Sequence, residues 1–372
     1  MSDLTLILLS AGSSSRFDMP VKKQWLRIDT VPLWQFVTER FTKSYNFDQI
    51  IVTASADEID YMKLFTNITL VEGGNTRQDS LQNALKHVNT PYVLVSDIAR
   101  CCVNDGLIQR LINAKESADC IVPFINISDT VIQNEITIER ESLKRIQTPQ
   151  LSRTEILMKA LQSDTQFTDE SSAIVSIGGT RELIYGDNEA HKLTFKSDLE
   201  HIKCLNAPES VNLCGTGFDV HQFEDGKPMV LGGIKIDVDY GFKAHSDGDV
   251  AIHSLIDALL GASAMGDIGT LFPDSNEQYK NINSAILLEK TISLVKERGF
   301  EIVNADITIL AQAPRLEKYK EKIRTNLASL LGIKKYRMNV KATTTEKLGF
   351  IGRKEGVGVQ SVVTLKYFDW TK

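Results

Sequence analysis

Short apolar runs alternate with helical patterns through the first half of the chain. Leu4–Leu9, Gln49–Ala54, Ile68–Glu72, Tyr92–Ser96 and Cys120–Phe124 are apolar runs of strand length. Between them, Leu33–Lys43 and Arg77–His87 space their apolar residues as helices do. This alternation predicts an α/β layered domain with a mainly parallel sheet. Thr180–Tyr185 predicts a further strand and Ser197–Asn206 a closing helix. The pattern restarts after Asn206-Ala207-Pro208-Glu209-Ser210, whose composition marks a linker. Asn212–His221 then predicts a strand, and Met229–Leu231 with Ile234–Val238 a hairpin about Gly232-Gly233. Asp249–Gly261 predicts a helix capped by Asp249. Ser284–Arg298 and Leu316–Leu331 predict helices, and Val303–Ala311, Met338–Thr343 and Val357–Phe368 strands. The second half therefore reads as α+β. The expected organisation is a first domain over residues 1–205, a linker over 206–210 and a second domain over 211–372.

A chain of 372 residues suits two domains, each with its own core. The net charge of −6 is mild and argues against a general nucleic-acid or membrane-surface binder. No apolar run is long enough to span a bilayer. Leu4–Leu9 has no basic segment before it and reads as a buried strand rather than a signal peptide. The five cysteines show no metal-binding spacing, and only Cys101 and Cys102 are adjacent. Unpaired thiols in a reducing cytoplasm are the expectation.

Ser10-Ala11-Gly12-Ser13-Ser14-Ser15-Arg16 follows the first predicted strand. Small residues let backbone N–H groups approach an anion, and Arg16 adds a planar fork for phosphate. By itself this is also an ordinary Ser/Gly loop. Lys22-Lys23-Gln24 adds cationic charge near the same strand end. Gly73–Ser80 and Ser96-Asp97-Ile98-Ala99-Arg100 follow two more strands, where open α/β sheets place ligands. Asp97 serves either as a turn cap or as a hard oxygen donor for magnesium beside a triphosphate.

With these segments, Asp129-Thr130 and Thr148-Pro149-Gln150, residues 1–205 resemble the 2-C-methyl-D-erythritol 4-phosphate cytidylyltransferases. The resemblance implies a Rossmann-like nucleotidyltransferase fold and transfer of CMP from CTP to methylerythritol phosphate, with release of pyrophosphate. It assigns Arg16, Lys23 and Lys192 to the phosphates, and Asp97 to magnesium. It assigns substrate contacts to Gly12, Gly74, Asn75, Ser80, Asp97 and Arg100, with Thr130 and Arg140 holding the methylerythritol phosphate. Arg140 is expected to reach across a dimer interface. The chain departs from the family pattern at several places, among them Ile98, which replaces a small alanine. Cys101 replaces a proline, Asn75 stands where an acidic residue is common, and two residues inserted before Lys23 let Lys22 compete for the catalytic place.

Asp219-Val220-His221 in a predicted strand puts two ligand types on one face. His253 on a predicted helix offers a third, leaving one position open as in catalytic zinc sites. Asp-x-His alone is common. Asp257, four residues after His253, either orients that histidine or is ordinary helix polarity. Thr343-Thr344-Thr345-Glu346 can hold phosphate and a second metal, or can be a strand end with a capping glutamate.

Gly217–His221, His245–His253, Gly266–Gly269, Ala311–Pro314 and Lys341–Phe350 resemble the 2-C-methyl-D-erythritol 2,4-cyclodiphosphate synthases over 211–372. The resemblance implies zinc on Asp219, His221 and His253, and magnesium on Glu346 with the diphosphate. Asp267 and Thr344 take catalytic roles. His245, Ser246, Asp257, Ala311, Arg315, Ala342, Thr343, Phe350 and Arg353 contact substrate. The implied reaction is ring closure with loss of CMP. The resemblance also implies a dimer-forming first half and a trimer-forming second half, hence a hexamer, with a separate kinase acting between the two reactions and able to associate. The competing readings are another sugar nucleotidyltransferase fused to a zinc phosphohydrolase, and a fusion in which one half is only a scaffold.

Overall fold

Residues 3–163, 165–244, 246–273, 275–279 and 282–372 are described by the computed structural model. The chain divides into two units, 1–207 and 208–372.

In the first unit β1 (Leu4–Leu9) is buried at all six positions, as a central parallel strand requires. β2 (Gln49–Ala54), β3 (Thr69–Glu72) and β4 (Tyr92–Asp97) run parallel with it in the order β4-β1-β2-β3. The far side of the sheet is mixed. β5 (Cys120–Asn126) pairs antiparallel with β6 (Lys144–Ile146) and β7 (Gln150–Arg153), and parallel with β8 (Arg181–Tyr185). β7 also runs antiparallel to β4. The reason is the connection: β5 returns through an arm with the small strands Val131–Gln133 and Ile136–Ile138, not through a crossover helix.

Helices α1 (Leu33–Ser44), α2 (Ala56–Met62), α3 (Arg77–Leu85), α4 (Asp105–Asn113), α5 (Thr154–Ala160) and α6 (Glu170–Ser176) complete the unit. Of these, only α1 and α3 are among the helices expected above. The closing helix expected over 197–206 is a single 3-10 stretch, Lys196–His201. Beyond it Cys204 forms a disulfide with Cys102, which corrects the expectation of unpaired thiols. The two cysteines are 102 residues apart in sequence, and only the folding of 187–204 onto the end of β4 brings them together.

The second unit is built on β9 (Leu213–Asp225), with a small hairpin of β10 (Met229–Leu231) and β11 (Ile234–Ile236). β12 (Tyr240–Phe242), β13 (Phe300–Leu310), β14 (Met338–Thr343) and β15 (Gly356–Tyr367) complete its sheet, in the order β12-β9-β15-β13-β14. On β13, Phe300 and Ile302 are buried, then Ala305, Ile307 and Ile309. The change of parity coincides with a bulge between Ile302 and Asn304. Helices α7 (Val250–Ser263), α8 (Ile268–Leu271), α9 (Ser284–Glu297) and α10 (Lys320–Leu331) follow in chain order. Leu316, expected to open α10, lies in the turn before it, where Tyr319 N–H donates to Leu316 O at 2.9 Å. The sheet leaves Phe218, Val220 and Val362 exposed.

Candidate active sites

In the first unit the phosphate-type loop leaves the carboxyl end of β1, and the segment 97–100 leaves that of β4. Gly73 lets the loop after β3 close on the first of these, and Gly74 lets that loop fold back on the start of α3. A Cβ on Gly73 would stand 2.3 Å from Ala11 Cβ, and one on Gly74 would stand 2.2 Å from Asp79 Cβ. Thr76 and Asp79 cap α3 reciprocally, at 3.1 and 3.0 Å. Ser80 Oγ accepts from Gly74 N–H at 3.0 Å and so braces the turn, while Asn75 is exposed.

Asp97 is the electrostatic centre. Arg77 Nε donates to it at 3.0 Å and Lys192 Nζ at 2.6 Å. Burial pushes the Asp97 carboxyl upward, but Arg77 and Lys192 outweigh it and hold the group well below the usual carboxylate range. Arg77 also donates to the fully buried Glu170 at 2.7 Å. No sequence pattern marks Glu170, and Arg77 is marked only by lying inside the Gly73–Ser80 motif.

Lys23 and Lys22 separate cleanly. Lys22 Nζ lies 3.2 Å from the buried Glu58, which also takes Trp25 Nε1–H at 2.9 Å. Lys23 Nζ donates to Leu193 O at 3.1 Å. Burial lowers the Lys23 ammonium, and the nearby Lys192 and Arg16 charges lower it further. Gln24 braces the phosphate-type loop through Ser14 Oγ and Gly12 O. A Cβ on Gly12 would meet nothing within 4 Å. Arg100 fastens the returning segment, donating to Ala190 O at 2.6 Å and to Thr148 Oγ1 at 3.1 Å. Burial brings its guanidinium down to about 10. Arg16 is exposed at the loop end, and Thr130 and Arg140 stand exposed on the arm, with Arg140 bonded to Ser128 O at 2.9 Å. Burial pushes the Cys101 thiol up to about 12, so it offers no nucleophile.

In the second unit alternation puts Gly215, Gly217, Asp219 and His221 on one face of β9. The two glycines let α7 lie on the strand, since a Cβ on Gly215 would stand 2.2 Å from Ala258 O. His253 on α7 is thereby delivered to the strand's own ligands. Asp219 Oδ2 lies 3.2 Å from His221 Nδ1 and 3.3 Å from His253 Nδ1. Ligand atoms of the three residues fall within 4.8 Å of one another. Yet the buried Asp219 Oδ2 and His221 Nδ1 have no hydrogen-bond partner. One carboxylate and two imidazoles gathered this closely are a donor set that could hold a metal ion. Burial pushes the Asp219 carboxyl up, and the two imidazoles outweigh it and hold it low. His253 is raised because Asp219 outweighs burial.

Asp249 caps α7, accepting from Ala251 and Ile252 N–H at 3.2 and 3.1 Å, and takes Gly232 and Gly233 N–H as well. Asp257 does not orient His253. Its Oδ1 accepts from Ile268 N–H at 2.8 Å, tying α8 to α7. Burial, with Asp219 and Asp267 nearby, raises its carboxyl. His253 Nε2 instead meets Ser284 Oγ at 2.9 Å and Ser246 Oγ at 3.3 Å. Nothing in the sequence around Ser284 marks it, because it reaches the site only when α9 packs.

Asp219, His221, Ser246, His253 and Asp257 help line a cavity of about 520 Å³. His245 lies outside the described residues. Asp267 caps α8 through Thr270 N–H at 2.7 Å and is exposed. The remaining candidates gather at another sheet position. Ala311 N–H donates to Thr343 O at 2.9 Å, and Thr344 Oγ1 donates to Glu346 Oε1 at 2.8 Å. Arg353 forks onto Glu355 at 2.8 and 3.1 Å, and Ala342, Arg315 and Phe350 are exposed. The register shows the separation: Asp219 pairs with Val359, Val359 with Ile309, and Ile309 with Ala342. Three strand spacings put Ala342 roughly 14 Å from Asp219.

The model of the 2-C-methyl-D-erythritol 4-phosphate cytidylyltransferase family matches residues 4–205, and that of the YgbB family matches residues 213–366. The bifunctional enzyme IspD/IspF of Sulfurimonas denitrificans is 56% identical over 369 residues, 99% of this chain and 96% of that one. The chain belongs to the bifunctional IspD/IspF family. The Sulfurovum sp. (strain NBC37-1) member is 54% identical, over 100% of this chain and 99% of its own. The solved structure of the bifunctional IspDF from Campylobacter jejuni superposes with a TM-score of 0.94 at 48% identity, covering both chains completely. As an IspD/IspF member the protein is an enzyme of the methylerythritol phosphate isoprenoid route. A cytidylyltransferase domain precedes a cyclodiphosphate synthase domain. Among the described residues no helix is long and apolar enough to cross a membrane.

Proposed function

We propose that the first unit transfers CMP from CTP to the 4-phosphate of 2-C-methyl-D-erythritol through Lys23, Arg16, Lys192 and Asp97, and that the second closes the 2,4-cyclodiphosphate over Asp219, His221 and His253. The observation that carries this reading is the pair of buried, unpartnered ligand atoms on Asp219 and His221 beside His253.

At the first site Asp97 is the hard oxygen donor suited to magnesium. In the free protein Lys192 and Arg77 neutralise it, and Lys192 turns to phosphate when the nucleotide arrives. Arg16 and Lys23 stabilise charge that develops as the substrate phosphate attacks the α-phosphorus and pyrophosphate leaves. Lys22, committed to Glu58, takes no part. Gly12, Gly74, Asn75 and Ser80 shape the nucleotide pocket, and Arg100 positions the segment that carries Lys192. Thr130 and Arg140, exposed on the arm, hold methylerythritol phosphate across a dimer interface.

At the second site the donor set of one carboxylate and two imidazoles suits zinc, and Glu346 with the substrate diphosphate suits magnesium. The metals supply polarisation of phosphoryl oxygens and alignment for attack of the 2-phosphate on the β-phosphorus with loss of CMP. His245, Ser246, Asp257 and Asp267 position the methylerythritol unit. Ala311, Arg315, Ala342, Thr343, Phe350 and Arg353 hold the cytidine end, and Thr344 bonds Glu346. The separation of Asp219 from Ala342, together with the exposed Phe218, Val220 and Val362, supports an active site completed by a neighbouring subunit. A trimer through this sheet and a dimer through the arm make a hexamer. The intermediate kinase is a candidate partner, and the cytoplasm the setting.

The test is direct. Purified protein given CTP, methylerythritol phosphate and magnesium is expected to release pyrophosphate. Given the diphosphocytidyl 2-phosphate it is expected to release CMP, with zinc recovered in the protein. Failure of pyrophosphate release sinks the first assignment, and CMP release unaffected by stripping zinc sinks the second.

A further inference from the structure

We infer that Asp247 and Ser284 are positioning residues that fix the tautomer of His253 and so aim its bare Nδ1 at Asp219 and His221. The consequence for metal binding rests on the reading above, but the geometry does not. Counting protons decides the direction. Asp247 receives donors on both oxygens. Ser284 N–H reaches Oδ2 at 3.1 Å, Ser284 Oγ reaches Oδ1 at 2.5 Å, and Asp249 N–H approaches Oδ1 at 3.3 Å. A carboxylate used this way is an acceptor only, and a hydroxyl has one proton to give. With that proton on the Asp247 side, Ser284 Oγ presents only lone pairs to His253 Nε2, 2.9 Å away. Nε2 therefore carries the ring hydrogen, and a neutral imidazole has only one.

Nδ1 is left with its lone pair facing Asp219 Oδ2 at 3.3 Å. Ser284 is fully buried at the first position of α9. The Nε2–H thus meets a fixed hydroxyl where an exposed imidazole would meet rotating water. Ser246 Oγ is farther from Nε2, at 3.3 Å, and accepts Gly248 N–H at 3.1 Å. The relay runs carboxylate, hydroxyl, imidazole, ligand atom. It makes the start of α9 part of a site whose ligands lie on β9 and α7.

Two measurements test the relay. Nitrogen-15 spectra of the histidines in the metal-free full-length protein, at a pH well above the imidazole range, are expected to show His253 as the Nε2–H tautomer. An Nδ1–H tautomer there overturns the inference. Zinc affinity, read by competition with a chelator, is expected to fall about ten- to hundred-fold in Ser284→Ala with the circular dichroism unchanged. Asp247→Asn is expected to weaken zinc at least as much. Its amide donates to Ser284 Oγ, turns the hydroxyl proton toward Nε2 and moves the ring hydrogen to Nδ1. A purely structural role predicts lower thermal stability with zinc affinity and tautomer unchanged, and that result overturns the relay. If Ser284→Ala does not fold, the near-isosteric Asp247→Asn carries the affinity test. Wild-type protein that takes up no zinc sinks the metal reading instead, and the tautomer measurement then decides the relay alone.

Discussion

Gly217 lies under Ser254 so closely that a Cβ on the glycine would stand 1.9 Å from the Ser254 carbonyl oxygen. Because Asp219 follows on the same strand face and His253 precedes Ser254 on the helix, this contact sets the spacing of the ligand cluster. Gly217→Ala is expected to push α7 off β9. The expected cost is about 1–3 kcal/mol of stability, the usual range for overpacking, together with weaker metal retention. Chemical denaturation and chelator competition on the same preparation check this. Wild-type metal affinity in a destabilised variant would show that the contact serves packing alone.

The two lysines of the first unit should divide activity from stability. Lys23→Met is expected to lower pyrophosphate release about 100-fold or more, as loss of one transition-state donor does. Lys22→Met is expected to leave the rate near wild type. It removes an ion pair to the buried Glu58, and a cost of about 1–3 kcal/mol is expected in thermal or urea unfolding. The reverse pattern would transfer the catalytic role to Lys22.

Asp97 links the first site to acid stability. Its folded carboxyl is held low, and in the unfolded chain it titrates near the ordinary value of about 3.9. A lowered folded value means stability that is fully present above about pH 4 and is lost as pH falls from there toward the folded value. Asp97→Asn should therefore be less stable than wild type at neutral pH, with the gap narrowing below about pH 4. Unfolding curves of both proteins from pH 7 to pH 2.5 read this out, and a gap that does not change with pH would remove Asp97 as the source.

Subunit sharing at the second site predicts complementation. Asp219→Ala and Glu346→Ala proteins, each inactive in CMP release, are expected to regain a fraction of activity when dissociated and reassembled together. Each mixed interface can then supply one intact set. Activity that stays at the level of the separate variants would mean that each site is built within one chain.

The disulfide predicts thiol counts. Three cysteines, Cys101, Cys120 and Cys214, should react with an alkylating reagent in denaturant without reductant, and all five after reduction. Intact mass distinguishes the two. Closing a loop of 102 residues stabilises by about 4–5 kcal/mol on chain-entropy grounds, so reduction should lower the unfolding midpoint.

The strands were the most legible part of the fold. β1, β2, β10 and β14 begin and end where their apolar runs do, because burial of a short strand is written in its own residues. The antiparallel entry of β6 and β7 was not legible, since a strand's direction depends on the route of the chain before it. Asp249 announced itself as the cap of α7 by local chemistry. The spacing of Asp257 on the helix allows either a partnership with His253 or plain helix polarity. The structure gives Asp257 to Ile268 and gives His253 to Ser284, a residue 31 positions away.

The residues alone determined the two-part organisation, the family and the side-chain chemistry that Asp97, Asp219, His221 and His253 bring to the proposed sites. Ligand identity and periodicity are local properties of a chain. Only the tertiary structure decided that Lys23 rather than Lys22 faces the site, that Glu170 anchors Arg77, and that Asp247 and Ser284 stand behind His253. Each of those depends on which side chain a distant backbone segment delivers within about 3 Å. That is set by the packing of whole elements, such as α7 on the glycines of β9, and no spacing in the sequence encodes it.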